Sequence, residues 1–502
     1  MAWKVPDGLG HHLPLNPLSP PPLCSSSTPP SSSPILSNEQ KLHLKIFFFD
    51  LLCQLHSSGN LTYRTEKYIY HVGRRYGIHA TATLLFRRAI ISFHELHPLE
   101  STGQAAAAGA GVSDSSSSET YTIPIRNGWK FGNLILLDQL CFEIIQRDLS
   151  FDKAKERLDE ISQNPWSYSW QSVMLAFGCS SFGATTLFFG GTWIDGGWAF
   201  VFGILVYFLD DLSQKLTGLS EISSFVTSFI LSVIATLIDI HLSDGSSCLF
   251  GQLFGGVVWL LPGITITIGL LEIYSQMPMY GSARLVYGIS LASQLGFGLV
   301  LGYMLASQSK QLPDSFINGC RDPISPYYSI ILLPLTAGSW SVMASSTYRQ
   351  IPGMIVTCTT GFLTSYILFH AGLDPSVIPF VAAIAVTIAG RIYAYLEGNQ
   401  RPFTFIMTGL LVLVPGGVGV RGMSDMWSGD SQLGMEVTFK MLLIGVSLAM
   451  GHFIALIPSQ KWFLVKVQKK SNPQKIFGDL QFSIINPIGA TTRHRIESMD
   501  EV

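Results

Sequence analysis

Three ionisable side chains sit at the ends of apolar stretches, where a charge is costly and its chemistry is therefore informative. Glu272 closes one apolar segment and Arg284 opens the next, so the pair offers a carboxylate able to carry a proton beside a guanidinium able to hold its charge. Arg421, six residues beyond Pro415, offers a contact for an anionic group. Each has a plainer role as well. Ionisable groups at helix ends reach the interface cheaply, so Glu272 and Arg284 could pair only to anchor a turn, and Arg421 could sit at the outer surface. The backbone carries the second kind of chemistry. Pro262-Gly263 and Pro415-Gly416-Gly417 each interrupt an apolar run. A proline removes a helix hydrogen bond and glycine loosens the chain, which lipid tolerates only where protein or a water-lined cavity satisfies the freed groups. One such break could be a simple kink. Two breaks at corresponding places in two halves point to a transporter's binding site.

The elements that must position these residues are mostly membrane spans. Only 13% of the 502 residues are charged and the mean hydropathy is +0.36, too apolar for an ordinary soluble enzyme. Hydropathy places about ten spans, near 168–190, 194–210, 221–242, 248–271, 284–307, 325–346, 351–371, 375–395, 402–420 and 435–458. They divide five and five at residues 308–324, with a Pro-Gly break in the fourth span of each half. Five is odd, so the second module, 325–460, is expected to be inverted relative to the first, 168–307. Ahead of them, residues 1–38 read as a disordered Pro/Ser-rich tail. Residues 39–167 read as a small α+β domain, with helices near 42–55, 63–76, 132–147 and 151–161, β-rich stretches at 81–93 and 121–125, and a flexible Ala/Ser insertion over 100–119. Residues 461–502 form a tail.

Charge gives the orientation. Residues 1–168 hold fifteen of the 31 Lys and Arg, seven follow residue 460, and the apolar region between keeps nine. Both termini are thus expected in the cytoplasm, as an even number of spans requires. The sequon Asn60-Leu61-Thr62 then stays unglycosylated, and Cys248 and Cys320 fall together on the outer side, where a disulfide could form. Nothing suggests nucleic acid, a metal site or a cofactor: there is no basic face, no Cys/His cluster and no phosphate-binding loop. Glu66, His71 and His94 are not spaced as a nucleophile with its base, which leaves a hydrolase without support.

The stretch LLPGITITIGLLEIYSQMPMYGSARLVYGI closely resembles the LPG…E…S…G…RL signature of the threonine/serine exporter family, whose fungal members are called pheromone-regulated membrane proteins. LVPGGVGVRGM resembles the signature of that family's second half, SSGNLTYRTEKYI its N-terminal helix-turn-helix, and GGTWIDGGWAF its first hairpin. The resemblance spans residues 40 to 460. It implies a ten-span protein made of two five-span modules with a cytoplasmic N-terminal domain, exporting threonine, serine or, in split bacterial relatives, a dicarboxylate without ATP hydrolysis. Carried onto this sequence, the substrate pathway is expected to involve Pro262, Gly263, Glu272, Gly281, Arg284, Pro415, Gly416, Gly417 and Arg421.

The expectation is an α-helical integral membrane protein that is not an enzyme. It would be a secondary transporter of a small polar metabolite, with an amino acid as the first candidate. Protons are a candidate coupling ion, a homo-oligomer stays open, and the membrane is the plasma membrane or the vacuolar membrane. The competing reading is a membrane sensor or scaffold with a cytoplasmic signalling domain.

Overall fold

The computed structural model describes residues 38–85, 87–94, 119–126, 128–146, 149–163, 167–216, 218–242, 247–309, 319–320, 324–397 and 402–468. The expected Pro/Ser tail and the Ala/Ser insertion lie outside them, apart from single residues at their edges, as does most of 308–324. The chain forms two compact units, Met1–His43 and Leu44–Val502. Of the first, only the opening residues of helix α1 (Asn38–Ser57) are described.

From Leu44 the chain builds the α+β region. Leu44, Phe47, Phe48, Leu51, Leu52 and Leu55 recur at helical spacing on α1 and are all buried. Gly59, at φ +91°, turns the chain into α2 (Thr62–Arg75), because only glycine enters that left-handed region without strain. The β-rich stretch at 81–93 is a hairpin: β1 (His79–Leu85) and β2 (Arg88–His94) pair antiparallel from His79 opposite His94 to Leu85 opposite Arg88, and β3 (Glu119–Pro124) adds to β2. Ala80, Ala82 and Leu84 alternate into the core with Ala89, Ile91 and Phe93, giving the sheet one apolar face. Helices α3 (Phe131–Gln146) and α4 (Phe151–Gln163) complete the layer.

The remainder is helical: α5 (Trp170–Leu187), α6 (Trp193–Lys215), α7 (Leu219–Leu242), α8 (Leu249–Gly256), a 3-10 turn (Val258–Leu260), α9 (Gly263–Tyr274), α10 (Pro278–Ser307), α11 (Ser329–Met343), α12 (Ile351–His370), α13 (Ile378–Leu396), α14 (Phe403–Leu411), α15 (Gly416–Ser428) and α16 (Ser431–Gln468). Among the described residues seven helical stretches are long and apolar enough to cross a bilayer, or eight if α8 and α9, bent by 58° at their break, count as one span. Of the about ten spans expected, the described helices thus supply seven or eight by length and hydropathy. α5 and α11 fall short, α11 because it has only 15 residues. They face each other through hydroxyls and small residues, with Trp340 Nε1 donating to Ser180 Oγ at 2.7 Å and Gly183 lying so close to Thr336 that a Cβ would overlap its hydroxyl. The last helix also runs past the boundary expected at 460, to Gln468.

Neighbouring helices follow one pattern twice. In the first half α5 touches α6, α6 and α7 touch α8, and α10 touches α7 and α9. In the second half α11 touches α12, α12 and α13 touch α14, and α16 touches α13 and α15. Asp195, in the first turn of α6, is buried. It closes a capping box with Thr192 at the start of α6, and its Oδ1 accepts from Cys248 N–H at 3.0 Å and Gln252 Nε2 at 2.8 Å. Cys248 and Cys320 form the disulfide expected between them, with Cα atoms 5.5 Å apart.

Candidate functional site

Both Pro-Gly breaks start a helix. Pro262 precedes α9 and Pro415 precedes α15, so each break presents the unpaired N–H groups and positive dipole end of a first helical turn. The two breaks meet. A Cβ on Gly263 would lie 2.5 Å from Gly416 N and 2.7 Å from its Cα, and a Cβ on Gly416 would lie 2.9 Å from Leu261 Cβ. Glycine is required at both places by close backbone approach, with positive φ at neither.

The residues around this crossing line a 380 Å³ cavity, together with Thr265, Tyr287, Trp340, Phe189 and Trp129 of the α+β region. Pro262, Pro415, Gly416 and Gly417 line it. A second cavity of 760 Å³ lies against the α+β region and is walled by Arg87, Arg126, Arg284, His56, Asn60 and Gln214, among others. Its lining holds three arginines and no carboxylate, with Arg87 paired to Glu221 at 3.2 Å and Arg284 to Glu272 at 3.5 Å. Trp129, Thr265 and Tyr287 line both cavities.

Glu272, Gly281 and Arg421 do not line the central cavity, and Arg284 faces the outlying one. Gly281 is a packing residue, since a Cβ there would lie 2.5 Å from Gly269 O and 2.7 Å from Ile273. Glu272 is fully buried. Its Oε1 accepts from Thr62 N–H at 3.3 Å and Thr62 Oγ1 at 2.7 Å, while its Oε2 stands 3.5 Å from Arg284 Nε. Arg284 Nη2 donates to Tyr280 Oη at 3.1 Å, and Tyr280 Oη and His56 Nε2 are hydrogen-bonded at 3.0 Å. The motif's acid and base are thus bound into the α+β region, with Thr62 and His56 as their partners. The sequon threonine is taken up in this way, and Asn60 is buried, its Nδ2 donating to Thr65 Oγ1 at 3.0 Å.

The two cores interpenetrate. Tyr280 of α10 belongs to the apolar core of the α+β region, whereas Phe131 and Leu134 of α3 belong to a core of membrane helices. Arg64 pairs with Asp138 at 2.7 Å and stacks 4.5 Å over the ring of Phe403 at the start of α14. Glu66, whose Oε1 accepts from Leu84 N–H at 3.1 Å, is pushed up to about 7 by burial, the leading cause, with the charge of Glu272 adding to the rise. It therefore changes charge near neutral pH. His71 and His94 take no part in the site.

On the opposite side of the crossing, Phe189, Phe250 and Phe254 pack together with ring centroids 4.4–5.9 Å apart. Gly417 fits beneath Phe189, where a Cβ would come within 2.7 Å of the ring. Arg421 stacks 5.7 Å above Phe250. Of these contributors, sequence reasoning missed Trp129, Thr265, Tyr287, Thr62, His56 and the phenylalanine cluster. The available signal was the turn-forming Asn127-Gly128 immediately before Trp129 and an apolar helix.

Comparison with known proteins agrees with the arrangement. The family profile described as "Putative threonine/serine exporter" matches residues 53–306 and 316–457, well over half of the chain. Pheromone-regulated membrane protein 10 of Pichia sorbitophila is 27% identical over 399 residues, covering 76% of this chain and 38% of that protein. The protein of the same name from Candida glabrata is 24% identical over 406 residues, covering 80% of this chain and 49% of that protein. That from Saccharomyces cerevisiae strain S288c is 25% identical over 315 residues, covering 61% and 80%. The chain therefore spans less than half the length of the first two relatives. No solved structure matches. Two helix breaks crossing at glycine, a multi-pass helical architecture and this match together place the chain in the threonine/serine exporter family.

Proposed function

We propose that the chain is a secondary transporter that moves a small polar metabolite by alternating access around the crossing of its two broken helices. The observation that carries the reading is the contact of Gly263 with Gly416 beside a 380 Å³ cavity lined by Pro262, Pro415, Gly416 and Gly417, a volume suited to an amino acid. Two opposed first turns offer N–H groups to a carboxylate, and the space beside them is lined by three arginines. Threonine or serine, leaving the cell, is the substrate that the family description suggests.

The repeated pattern of helix contacts supports a repeat of two five-segment modules, because the contacts of the first half have their equivalents in the second, and an odd number of segments would make the repeat inverted. Cross-contacts obey the same rule: α10 meets α15 as α16 meets α9, while α5 meets α11 and α9 meets α15 across the pseudo-axis. Under this reading the α5 and α11 segments are short central helices of a ten-segment bundle. The phenylalanine cluster and the Cys248–Cys320 disulfide close the outer side, the α+β region lies in the cytoplasm, and Glu272 offers the route for a coupling proton.

Reconstituted chain in liposomes loaded with labelled threonine or serine tests the proposal. Efflux is expected to be saturable, to show counterflow with unlabelled substrate, and to need no ATP. Absence of flux for a panel of amino acids and small dicarboxylates, from folded and correctly inserted protein, would favour the sensor or scaffold reading.

A further inference from the structure

Trp129 stands between the two cavities, and of the three residues lining both it alone belongs to the α+β region. Its position is fixed from two sides. On one, Gly128 is pressed against the α1–α2 turn so closely that a Cβ would fall 2.2 Å from Ser57 O, Lys130 N–H donates to Ser58 O at 3.3 Å, and Gly59 leaves room for the indole, where a Cβ would approach Trp129 Cε3 to 3.3 Å. On the other, Phe131 N–H donates to Ala344 O at 2.9 Å and Gly132 N–H to Ser345 O at 3.0 Å, joining the segment to the corner between α11 and α12. Ser345 holds that corner with φ +50°. Five residues, Gly128 to Gly132, thus bridge the α+β region and the membrane helices, with an indole at the boundary of the cavities.

We infer that Trp129 is the inner gate of the pathway, closed by the docking of Gly128–Gly132 into the α11–α12 corner and opened when that segment leaves it. The inference rests on the transporter reading. Its physical content is that Trp129, with Thr265 and Tyr287, borders both the arginine-lined space and the cavity at the helix crossing, so that moving the indole changes the boundary between them. Leaving the corner breaks two main-chain hydrogen bonds, each with a modest net contribution, and also withdraws the buried Phe131 from the core of membrane helices, which holds the gate closed in the resting state. The α+β region then acts as part of the transport machinery. A packing role alone would also place Trp129 beside Leu61, Ile264, Ile268 and Phe403, which it adjoins, so the test must read access to the cavity.

A cysteine at Ser224, which lines only the central cavity, reports that access, and one at Ser220, which lines only the arginine-walled space, is the control. With a small charged thiol reagent applied from the side of the α+β region, and the parent protein's own thiol labelling subtracted, Trp129→Ala is expected to speed labelling of Ser224→Cys at least tenfold. Labelling of Ser220→Cys should be unchanged, and Trp129→Phe should restore the slow rate. Equal Ser224→Cys rates with and without the indole would overturn the gate. Should Trp129→Ala fail to fold, the pair Gly132→Cys and Ser345→Cys decides instead. Cross-linking them is expected to stop efflux and a reductant to restore it, while full-rate efflux from the cross-linked protein would refute the proposal. Lack of efflux in the parent protein strikes the transporter reading itself, and the labelling arm still decides whether Trp129 controls entry.

Discussion

The two broken helices use the same backbone device and opposite side-chain surroundings. α9 and α15 both start at a Pro-Gly step, and their first turns touch through Gly263 and Gly416. Beyond that contact they diverge. α9 ends in Glu272, buried with Arg284, Thr62, Tyr280 and His56 in a network shared with the α+β region. α15 carries Arg421 toward a ring of phenylalanines beside the disulfide. Similar main-chain geometry with dissimilar side chains is what a carrier with two differently controlled ends requires. The shared part can hold the solute, and the unshared parts can decide which end opens.

The crossing is where the comparison is most easily broken. An added methyl at Gly263 meets the Gly416 main chain at 2.5 Å, whereas one at Gly416 meets the Leu261 side chain at 2.9 Å and the Gly263 main chain only at 3.1 Å. Leu261 Cβ is fixed by its own main chain, so both clashes are rigid and only their depth differs; Gly263→Ala is expected to cost about 3 kcal/mol by overpacking, and Gly416→Ala about 2 kcal/mol. Efflux should disappear in the first and fall severalfold in the second, with thermal unfolding in detergent checking the order. Equal behaviour of the two variants would mean that the breaks are interchangeable in packing as well as in conformation. The same distances show why a leucine at Gly263 cannot serve as a simple helix repair: it would wedge the crossing apart. Pro262→Ala alone restores helix propensity while sparing the contact.

The next largest effect belongs to the buried pair. Glu272→Gln keeps an acceptor for Thr62 but leaves Arg284 without its carboxylate, and breaking a buried pair costs roughly 3 kcal/mol. Arg284 is 10% exposed and borders the arginine-lined space, so water offsets part of that loss. If Glu272 carries the coupling proton, flux driven by a pH gradient is lost while substrate exchange survives. If it only fastens the α+β region to α9, both fall together, and Thr62→Val should reproduce the defect. Measuring the two fluxes side by side at matched membrane levels separates these roles.

Much of this architecture was legible in the chain because it depends on local features. The Pro-Gly breaks, the helix-turn-helix at Gly59 and the pairing of Cys248 with Cys320 declare themselves through conformational preference, hydropathy or the expected topology. Two of the expected spans, α5 and α11, do not reach the length and hydropathy of the others, because hydropathy windows include flanking residues while these helices are short and carry hydroxyls where they pack on one another. The placement of Glu272 depends on Thr62, 210 residues away, and no periodicity records such a partnership. Trp129 was invisible for the same reason, since a tryptophan before an apolar helix looks like any packing residue until its neighbours are known.

Arg421 provides the finest test of the contrast between the two breaks. Its sequence position allowed either an anion contact in the pathway or an outer anchor, and the structure sets the guanidinium 5.7 Å over Phe250, which packs 4.4 Å from Phe254 and 5.9 Å from Phe189. It does not line the central cavity. A cation over a partly covered ring contributes about 1 kcal/mol, and a lysine, lacking the planar fork, recovers only part of it. Arg421→Met is therefore expected to lower stability by about 1 kcal/mol, with Arg421→Lys between it and the parent. The apparent affinity for substrate at the inner side should change less than threefold. The altered step should be the outer one, read as a change in labelling of a cysteine placed at Phe250 by a reagent added from that side. A tenfold loss of inner-side affinity in Arg421→Met, matching or exceeding that of Glu272→Gln, would put Arg421 in contact with the solute and make the two broken helices alike in their charges as well as in their backbones.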